Sequence, residues 1–173
     1  MKRAYWPMQV VALLFGIAGA WFGARHFAAA PAQPSAVDAF FLRSLPDSKG
    51  ATSAMNQWKG RLVVLNFWAT WCAPCVEEMP ELTALQKEVQ AKNIQILGIG
   101  IDSPSNISAF ADKYQIGYPL YVAGIDGSEM SRELGNKAGG LPFTVVIDAS
   151  GKVRKTYLGR LKMDELRREL GAL

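Results

Sequence analysis

Residues 62–75 read LVVLNFWATWCAPC, an apolar run that leads directly into two closely spaced cysteines. A run of this kind, from Leu62 to Trp68, is typical of a strand that is covered on both faces of a sheet. After Cys72 the pattern changes to that of a helix, which we predict over Ala73–Gln90. The stretch therefore predicts a central strand, a short loop and a helix that begins beside the cysteine pair.

The chain alternates between strand and helix patterns from residue 38 onward. Such an alternation favours a mixed sheet with helices on both faces. The sequence therefore predicts an α/β domain over residues 38–173. The further predicted strands are Ala39–Arg43, Ala51–Ser53, Ile94–Ile101, Phe143–Asp148 and Val153–Leu158, and the further predicted helices are Ser105–Tyr114, Ser128–Leu134 and Leu161–Leu170.

The N-terminal segment is apolar over residues 4–24, and Lys2 and Arg3 precede it. About 21 residues, each rising about 1.5 Å along a helix, span a hydrocarbon layer of about 30 Å. We therefore predict a signal anchor, a single transmembrane helix, over residues 1–26, with its basic end in the cytoplasm. A cleaved signal peptide is the alternative, and both interpretations place the remaining chain outside the cytoplasm. Residues 27–37, rich in alanine and proline, are predicted to form a tether.

The charge of the chain is concentrated at its N-terminal end. The formal net charge is +4, and Lys2, Arg3 and Arg25 supply +3 within the first 35 residues, which contain no acid. The remainder carries 16 basic and 15 acidic residues. Because nucleic-acid binding needs a concentrated basic face, this nearly neutral domain argues against a nucleic-acid partner.

Cys72 and Cys75 are the only cysteines, and their spacing keeps the two sulfurs within reach of each other. A helix N-terminus presents unpaired N–H groups and a partial positive charge, so it stabilises a thiolate and lowers the pKa of the first cysteine. We therefore predict redox chemistry in which Cys72 is the nucleophile and Cys75 resolves the mixed disulfide. No cofactor is expected beyond the disulfide that this pair forms.

A structural disulfide and half of a zinc site are alternative interpretations of the pair. A closed structural zinc site has four ligands. The two cysteines and the only histidine, His26, which lies in or next to the predicted anchor, cannot supply four. A two-cysteine site completed by carboxylates, or shared across a dimer, remains open, but we predict no metal.

Glu78 is the one acid that the helix pattern places toward the buried side. Positions 75, 78, 82, 85 and 89 recur on one helix face, and apart from Glu78 they hold Cys, Leu or Val. Burial would raise the pKa of the Glu78 carboxyl, and a carboxyl poised near neutrality can exchange a proton with the thiol of Cys75 one turn away. The alternative is a slightly rotated helix, in which Glu78 reaches water at the rim. Asn66 is the only polar residue of its strand. It could bond backbone or water near the site, but it cannot titrate.

Pro142 precedes the predicted strand that begins at Phe143. A cis peptide bond costs far less before proline than before other residues. Pro142 could therefore pack beside Cys72 and let a substrate backbone pair with Leu141, or it could simply form a turn before the strand.

The motifs around the cysteines resemble those of the thioredoxin superfamily, and in particular of the TlpA/ResA-like branch of membrane-anchored bacterial thiol–disulfide oxidoreductases. The resemblance covers about residues 38–170. Residues 66–75 and 77–80 resemble the active-site strand and helix of this branch, and residues 140–144 resemble its cis-proline loop. Residues 146–148 and 151–153 resemble its closing hairpin. The stretch Tyr114–Leu134 resembles an insert that this branch carries.

This resemblance implies a thioredoxin-like fold, with an exposed Cys72 as nucleophile and a buried Cys75. It also implies a cis bond between Leu141 and Pro142, and it matches Glu78 with a carboxylate that ResA-like members use in redox chemistry. The residues expected to contact substrate are Trp71, Ala73, Pro74 and Leu141.

The function that the resemblance implies is reduction of protein disulfides. The enzyme would be anchored by one span in the bacterial inner membrane and face the periplasm or cell exterior, or be soluble in the periplasm after signal cleavage. Its expected partners are exported thiol or disulfide proteins, such as apocytochrome c or metal-site assembly proteins, and a membrane-embedded thiol reductase that supplies electrons.

Three other functions on related folds remain open. A disulfide-forming oxidase often has histidine between its cysteines, where this chain has Ala73 and Pro74. A copper-binding chaperone needs histidine or methionine beside the cysteines, and only Met79 is near. A peroxidase usually has a lone reactive cysteine with threonine and arginine nearby, which the paired Cys72 and Cys75 do not match.

Overall fold

The computed structural model describes residues 34–172 of the chain. The predicted anchor over residues 1–26, and the predicted tether as far as residue 33, lie outside the described residues. Within the described part, no helix has both the length and the apolar character that crossing a membrane requires.

Seven strands and five α-helices, with two short 3-10 helices, make up residues 34–172. The strands are β1 (Ser44–Pro46), β2 (Thr52–Ala54), β3 (Leu62–Trp68), β4 (Ile94–Gly100), β5 (Leu120–Val122), β6 (Phe143–Ile147) and β7 (Val153–Leu158). The α-helices are α1 (Ala36–Phe41), α2 (Ala73–Val89), α3 (Pro104–Tyr114), α4 (Asp126–Glu133) and α5 (Met163–Gly171), and the 3-10 helices are Met55–Trp58 and Gln90–Lys92.

A five-stranded mixed sheet, in the order β5-β4-β3-β6-β7, forms the centre of the domain. Strand β3 pairs in parallel with β4 and antiparallel with β6, so it lies in the middle, and all of its residues are buried. This burial on both faces is what its continuous apolar sequence predicted. The hairpin β1–β2 forms a separate two-stranded sheet.

Helices cover both faces of the five-stranded sheet. The core on one face contains the two cysteines and buried side chains of α2, α3 and α5, including Leu82, Ile107 and Leu166. The core on the other face contains buried side chains of α1 and α4, including Phe40 and Met130. The predicted α/β architecture, a mixed sheet flanked by helices, is confirmed for the described residues.

The predicted strand Ala39–Arg43 is wrong, because this stretch mostly belongs to helix α1. The side chain of Ser35 accepts a hydrogen bond from the Asp38 N–H and so caps the helix. Three side chains at helical spacing are buried, those of Val37, Phe40 and Phe41. The helix begins at Ala36, so the last two residues of the predicted tether belong to it.

Strand β1, which follows helix α1, was not predicted from the sequence. Strand β5 was not predicted either. It has only three residues, within the Tyr114–Leu134 stretch that resembles a family insert, and it adds in parallel to the edge of β4. The remaining predicted elements are present, with ends that differ by one or two residues.

Candidate active site

The cysteine pair lies where α2 begins, at the C-terminal end of the central strand. Cys72 is the residue before the first helical turn, and its carbonyl accepts a hydrogen bond from the Val76 N–H at 3.1 Å. Pro74 lies in the first turn, where a backbone N–H would have no partner within the helix. Cys72 therefore lies next to the unpaired N–H groups and partial positive charge of the helix start.

Cys72 and Cys75 form a disulfide, with their Cα atoms 5.3 Å apart. Cys72 is 6% exposed and Cys75 is completely buried. The expectation of an exposed Cys72 is therefore wrong for the disulfide form, because its sulfur is bonded to a residue inside the core. Cys72 is still the more accessible of the two. Trp71 beside it is 70% exposed.

Glu78 is completely buried, one helical turn after Cys75. Each carboxyl oxygen accepts one hydrogen bond of 2.8 Å, Oε1 from Nδ2 of Asn66 and Oε2 from the backbone N–H of Leu161. Burial raises the pKa of Glu78, while these hydrogen bonds and the positive charge of Arg160 act in the opposite direction and only partly offset it. The predicted burial of Glu78 is confirmed, and the alternative in which it reaches water at the rim is not.

Asn66 connects Glu78 to a second polar side chain in the core. Its Nδ2 also donates to Oγ1 of Thr144 at 3.0 Å, and the two residues are cross-strand partners in β3 and β6. Nδ2 of Asn66 therefore bonds two side chains and not the backbone, while a hydrogen bond to water stays a prediction. The reason is that a polar residue in a neighbouring strand and a carboxyl from the helix above both meet its amide.

The polar atoms around this network do not all have partners. Among the described residues, the buried Oδ1 of Asn66, Nε1 of Trp68 and hydroxyl of Tyr118 accept or donate no hydrogen bond. Burial, and to a smaller extent the negative charge of Glu78, raise the pKa of the Tyr118 hydroxyl well above its usual range. Tyr118 therefore stays neutral beside the carboxyl.

The Leu141–Pro142 peptide bond is cis, as the resemblance implied. The loop is fixed by two hydrogen bonds, one of 2.8 Å from the Gly159 N–H to the Pro142 carbonyl and one of 2.9 Å from Nδ2 of Asn136 to the Gly140 carbonyl. Leu141 is partly buried against the core that contains the cysteines. Within residues 34–172 its own N–H and C=O have no hydrogen-bond partner.

Asp102 holds the loop before Cys72 from the end of β4. Its carboxylate accepts hydrogen bonds from the N–H and hydroxyl of Thr70, and from the Asn106 side chain and the Ser103 N–H at 2.7 Å each. Burial alone would raise the pKa of Asp102, but these four hydrogen bonds together hold it below its usual range.

Sequence reasoning missed several of these contacts. Thr144 was visible only as the single polar residue of the FTVVI strand, and Asp102 only as an acid at a strand end. Leu161 contacts Glu78 through its backbone N–H, so its residue type could not predict this contact. In the described part of the chain, no group of three or more His, Cys, Asp or Glu side chains is arranged to hold a metal ion.

Comparison with known proteins connects this site to named relatives. Residues 38–156 match the sequence model of the AhpC/TSA family. The thiol-disulfide oxidoreductase ResA of Geobacillus thermodenitrificans (strain NG80-2) is 31% identical over 130 residues, which are 75% of this chain and 72% of that protein. The thioredoxin-like protein YneN of Bacillus subtilis (strain 168) is 31% identical over 131 residues, 73% of this chain and 74% of that protein.

A solved structure shows the same fold. The thiol:disulfide interchange protein of the thioredoxin family from Chlorobium tepidum TLS superposes with a TM-score of 0.66 at 27% identity, covering 80% of this chain and 95% of that one. Fold and relatives thus define the class: the chain is a thiol–disulfide oxidoreductase with a thioredoxin-like fold. It belongs to the AhpC/TSA family, whose model matches more than half of its length, and its relatives named ResA confirm the predicted resemblance.

Proposed function

We propose that the protein reduces disulfides of exported proteins through the Cys72/Cys75 dithiol. The observation that carries this proposal is the position of the pair: Cys72 lies at a helix start and is the less deeply buried cysteine, and the completely buried Cys75 lies one turn from a buried carboxyl. The reaction needs an electron donor for each cycle, and we propose a membrane-embedded thiol reductase.

The first step is attack by the Cys72 thiolate on a substrate disulfide. A bond forms between the Cys72 sulfur and one substrate sulfur, the substrate S–S bond breaks, and the other substrate sulfur leaves as a thiolate. The start of α2 favours this step because it stabilises the thiolate form of the nucleophile.

The second step is resolution of the mixed disulfide by Cys75. In this proposal the Glu78 carboxylate takes the proton of the Cys75 thiol, and the resulting thiolate attacks the sulfur of Cys72. The Cys72–Cys75 disulfide forms, and the second substrate sulfur leaves as a thiolate that takes up a proton. Two electrons have then passed to the substrate. The raised pKa of Glu78 supports this role, since it brings the carboxyl nearer to the pKa of a thiol.

Substrate binding in this proposal uses the surface around Cys72. The unpartnered N–H and C=O of Leu141 support pairing with an extended substrate backbone, next to the buried Pro142. The exposed side chains of Trp71, Ala73 and Pro74 supply further contacts. Apocytochrome c and metal-site assembly proteins are the proposed substrates.

The location outside the cytoplasm is also a proposal. It is supported by the apolar segment over residues 4–24 behind Lys2 and Arg3. We propose a single-span anchor in the bacterial inner membrane, with residues 38–173 facing the periplasm or the cell exterior.

A trapping experiment with the full-length chain tests the proposal. A Cys75→Ser variant cannot resolve the mixed disulfide, so we expect exported thiol proteins to accumulate on Cys72, identified on non-reducing gels by mass spectrometry. The matched control is Cys72→Ser/Cys75→Ser, which should trap nothing. Absence of adducts in the single variant would contradict the nucleophile assignment.

The direction of electron flow is tested on the trapped partner. In cells that lack the protein, a substrate of a reductase accumulates as its disulfide. Accumulation of its thiol form would instead make the protein a disulfide-forming oxidase.

A further inference from the structure

A short segment after β7 touches three parts of the active site at once. This connecting segment, residues 159–161, lies between strand β7 and helix α5 and has no regular secondary structure. The Gly159 N–H donates to the Pro142 carbonyl at 2.8 Å, and the Leu161 N–H donates to Oε2 of Glu78 at 2.8 Å. The residue between them, Arg160, faces helix α2.

Arg160 joins the connecting segment to the helix that carries Glu78. Its Nη1 lies 2.7 Å from Oε2 of Glu77, and its Nη2 lies 3.2 Å from Oε1 of Glu81. These two acids flank Glu78 along α2, so the guanidinium spans the stretch of helix where the buried carboxyl is attached.

The two hydrogen bonds to Glu78 differ in how firmly their donors are held. Asn66 lies in the middle of the central strand, where both neighbouring strands fix its backbone. The Leu161 N–H belongs to an irregular segment, and its position depends on the burial of the Leu161 side chain and on the contacts of its neighbours. An ion pair beside it is therefore placed to limit its movement.

We infer that Arg160 is a positioning residue of the redox site: by binding Glu77 and Glu81 it holds the Leu161 N–H against the Glu78 carboxyl. Arg160 does not touch the sulfurs and is not a catalytic residue. Its effect on catalysis rests on the proposed role of Glu78 in proton transfer to and from Cys75.

The positive charge of Arg160 and the hydrogen bond from the Leu161 N–H affect the pKa of Glu78 in the same direction. Both favour the ionised carboxylate and so lower the pKa of Glu78, against the larger effect of burial. The other charged or titratable groups near the carboxyl are Cys75 and Glu81 on α2 and Tyr118 from the loop before β5. The neighbouring strands contribute the uncharged side chains of Asn66 and Thr144.

The chain contains a matched control for this contact. Arg167 of α5 binds both carboxyl oxygens of Glu88 at 3.1 Å, so it also joins the C-terminal part of the chain to α2. Glu88 lies almost three turns beyond Glu78, and the groups that shift the Glu78 pKa include Arg160 but not Arg167. An Arg167→Gln variant therefore loses the same charge and the same kind of ion pair without touching the site.

The experiment compares Arg160→Gln, Arg167→Gln and Arg160→Lys in the full-length protein. Amide hydrogen exchange of Leu161 reports the position of the connecting segment, and ¹³C NMR of the Glu78 carboxyl, assigned by its loss in Glu78→Gln, reports its titration. For Arg160→Gln we expect the protection of the Leu161 amide against hydrogen exchange to fall by about two- to fivefold. We also expect the titration midpoint of the Glu78 carboxyl to move to higher pH. Arg167→Gln should change neither the protection of the Leu161 amide nor the titration midpoint of Glu78. Arg160→Lys keeps the charge, so both quantities should stay close to their wild-type values.

Equal behaviour of Arg160→Gln and Arg167→Gln in both measurements would overturn the inference. A third measurement, the pH profile of disulfide exchange, should move to higher pH in Arg160→Gln only. If Glu78→Gln left that profile unchanged, the proposed role of Glu78 would fail, while exchange at Leu161 and the carboxyl titration would still decide whether Arg160 positions this site.

Discussion

The amide of Asn66 and the carboxyl of Glu78 are joined by a hydrogen bond of 2.8 Å that links the central strand to the helix packed on it. Both side chains are completely buried. Strand β3 therefore supplies the hydrogen-bond donor to one oxygen of the Glu78 carboxyl. The backbone N–H of Leu161, from a distant part of the chain, donates to the other oxygen. The result is an acid that is enclosed in the core yet has a donor for each oxygen.

Replacing Asn66 by alanine should destabilise the fold. The change removes the donor to Glu78 and to Thr144, and leaving buried polar groups without partners costs about 1–3 kcal/mol. The midpoint of chemical denaturation measures this loss. Thr144→Val is the matched control, because it removes only one of the two acceptors and should cost less. A denaturation midpoint for Asn66→Ala equal to that of the wild type would contradict the assignment.

The stability of the protein should depend on pH through Glu78. Its pKa is raised in the folded state, mainly by burial, so between the unfolded and folded pKa values the unfolded chain loses the proton and the folded chain keeps it. Stability therefore falls as pH rises through this window and is unaffected by this group below it. Glu78→Gln cannot ionise, and its denaturation midpoint should lack this decline. Parallel pH dependences for the variant and the wild type would show that burial does not perturb the carboxyl.

Glu78→Gln should also slow resolution of the mixed disulfide. Proton transfer by a positioned side chain contributes about 100- to 10,000-fold to a rate. We expect a loss near the lower end, because a thiol with an ordinary pKa of about 8.5 ionises to a small extent near neutral pH without such help. Rapid-mixing measurements of single-turnover exchange between pH 5 and 9 would detect it. Glu88→Gln, a change at an exposed acid of the same helix, should leave the rate unaltered. Unchanged rates for Glu78→Gln across this pH range would remove its assigned role.

Gly98 of β4 is closely surrounded by side chains of the core that contains the cysteines. An added Cβ atom would come within 2.5 Å of Cδ2 of Leu120 and 3.2 Å of Nε1 of Trp68. Overfilling a packed core costs about 1–3 kcal/mol, so Gly98→Ala should unfold at lower denaturant concentration. Gly171→Ala, where nothing lies within 4 Å, is the control. If both variants were equally stable, the packing around Trp68 would be looser than described.

The parts of the site that are contiguous in sequence were the predictable ones. An apolar strand, a turn and a periodic helix follow one another without interruption, so residues 62–89 and the burial of Glu78 could be predicted from spacing alone. Helix α1 was mistaken for a strand because six residues are too few for helical periodicity to stand out. Its capping serine was the signal that could have corrected this.

Contacts between distant segments were not predictable. Asn66 and Thr144 meet only because β3 and β6 pair in one register, and a single sequence does not specify that register. The bond from Leu161 to Glu78 joins residues 83 positions apart through a backbone N–H, which every non-proline residue has. Such donors become visible only when the fold is known.

The unequal burial of the two sulfurs has a consequence for how the protein treats its cargo. Cys72 is 6% exposed and Cys75 is completely buried, so in the proposed mechanism a covalent partner is attached through Cys72. The resolving step proposed for Cys75 would then start from a residue that is completely buried in the core. In that mechanism, selection among substrate proteins depends on the contacts made around Cys72, because Cys75 offers no exposed surface of its own.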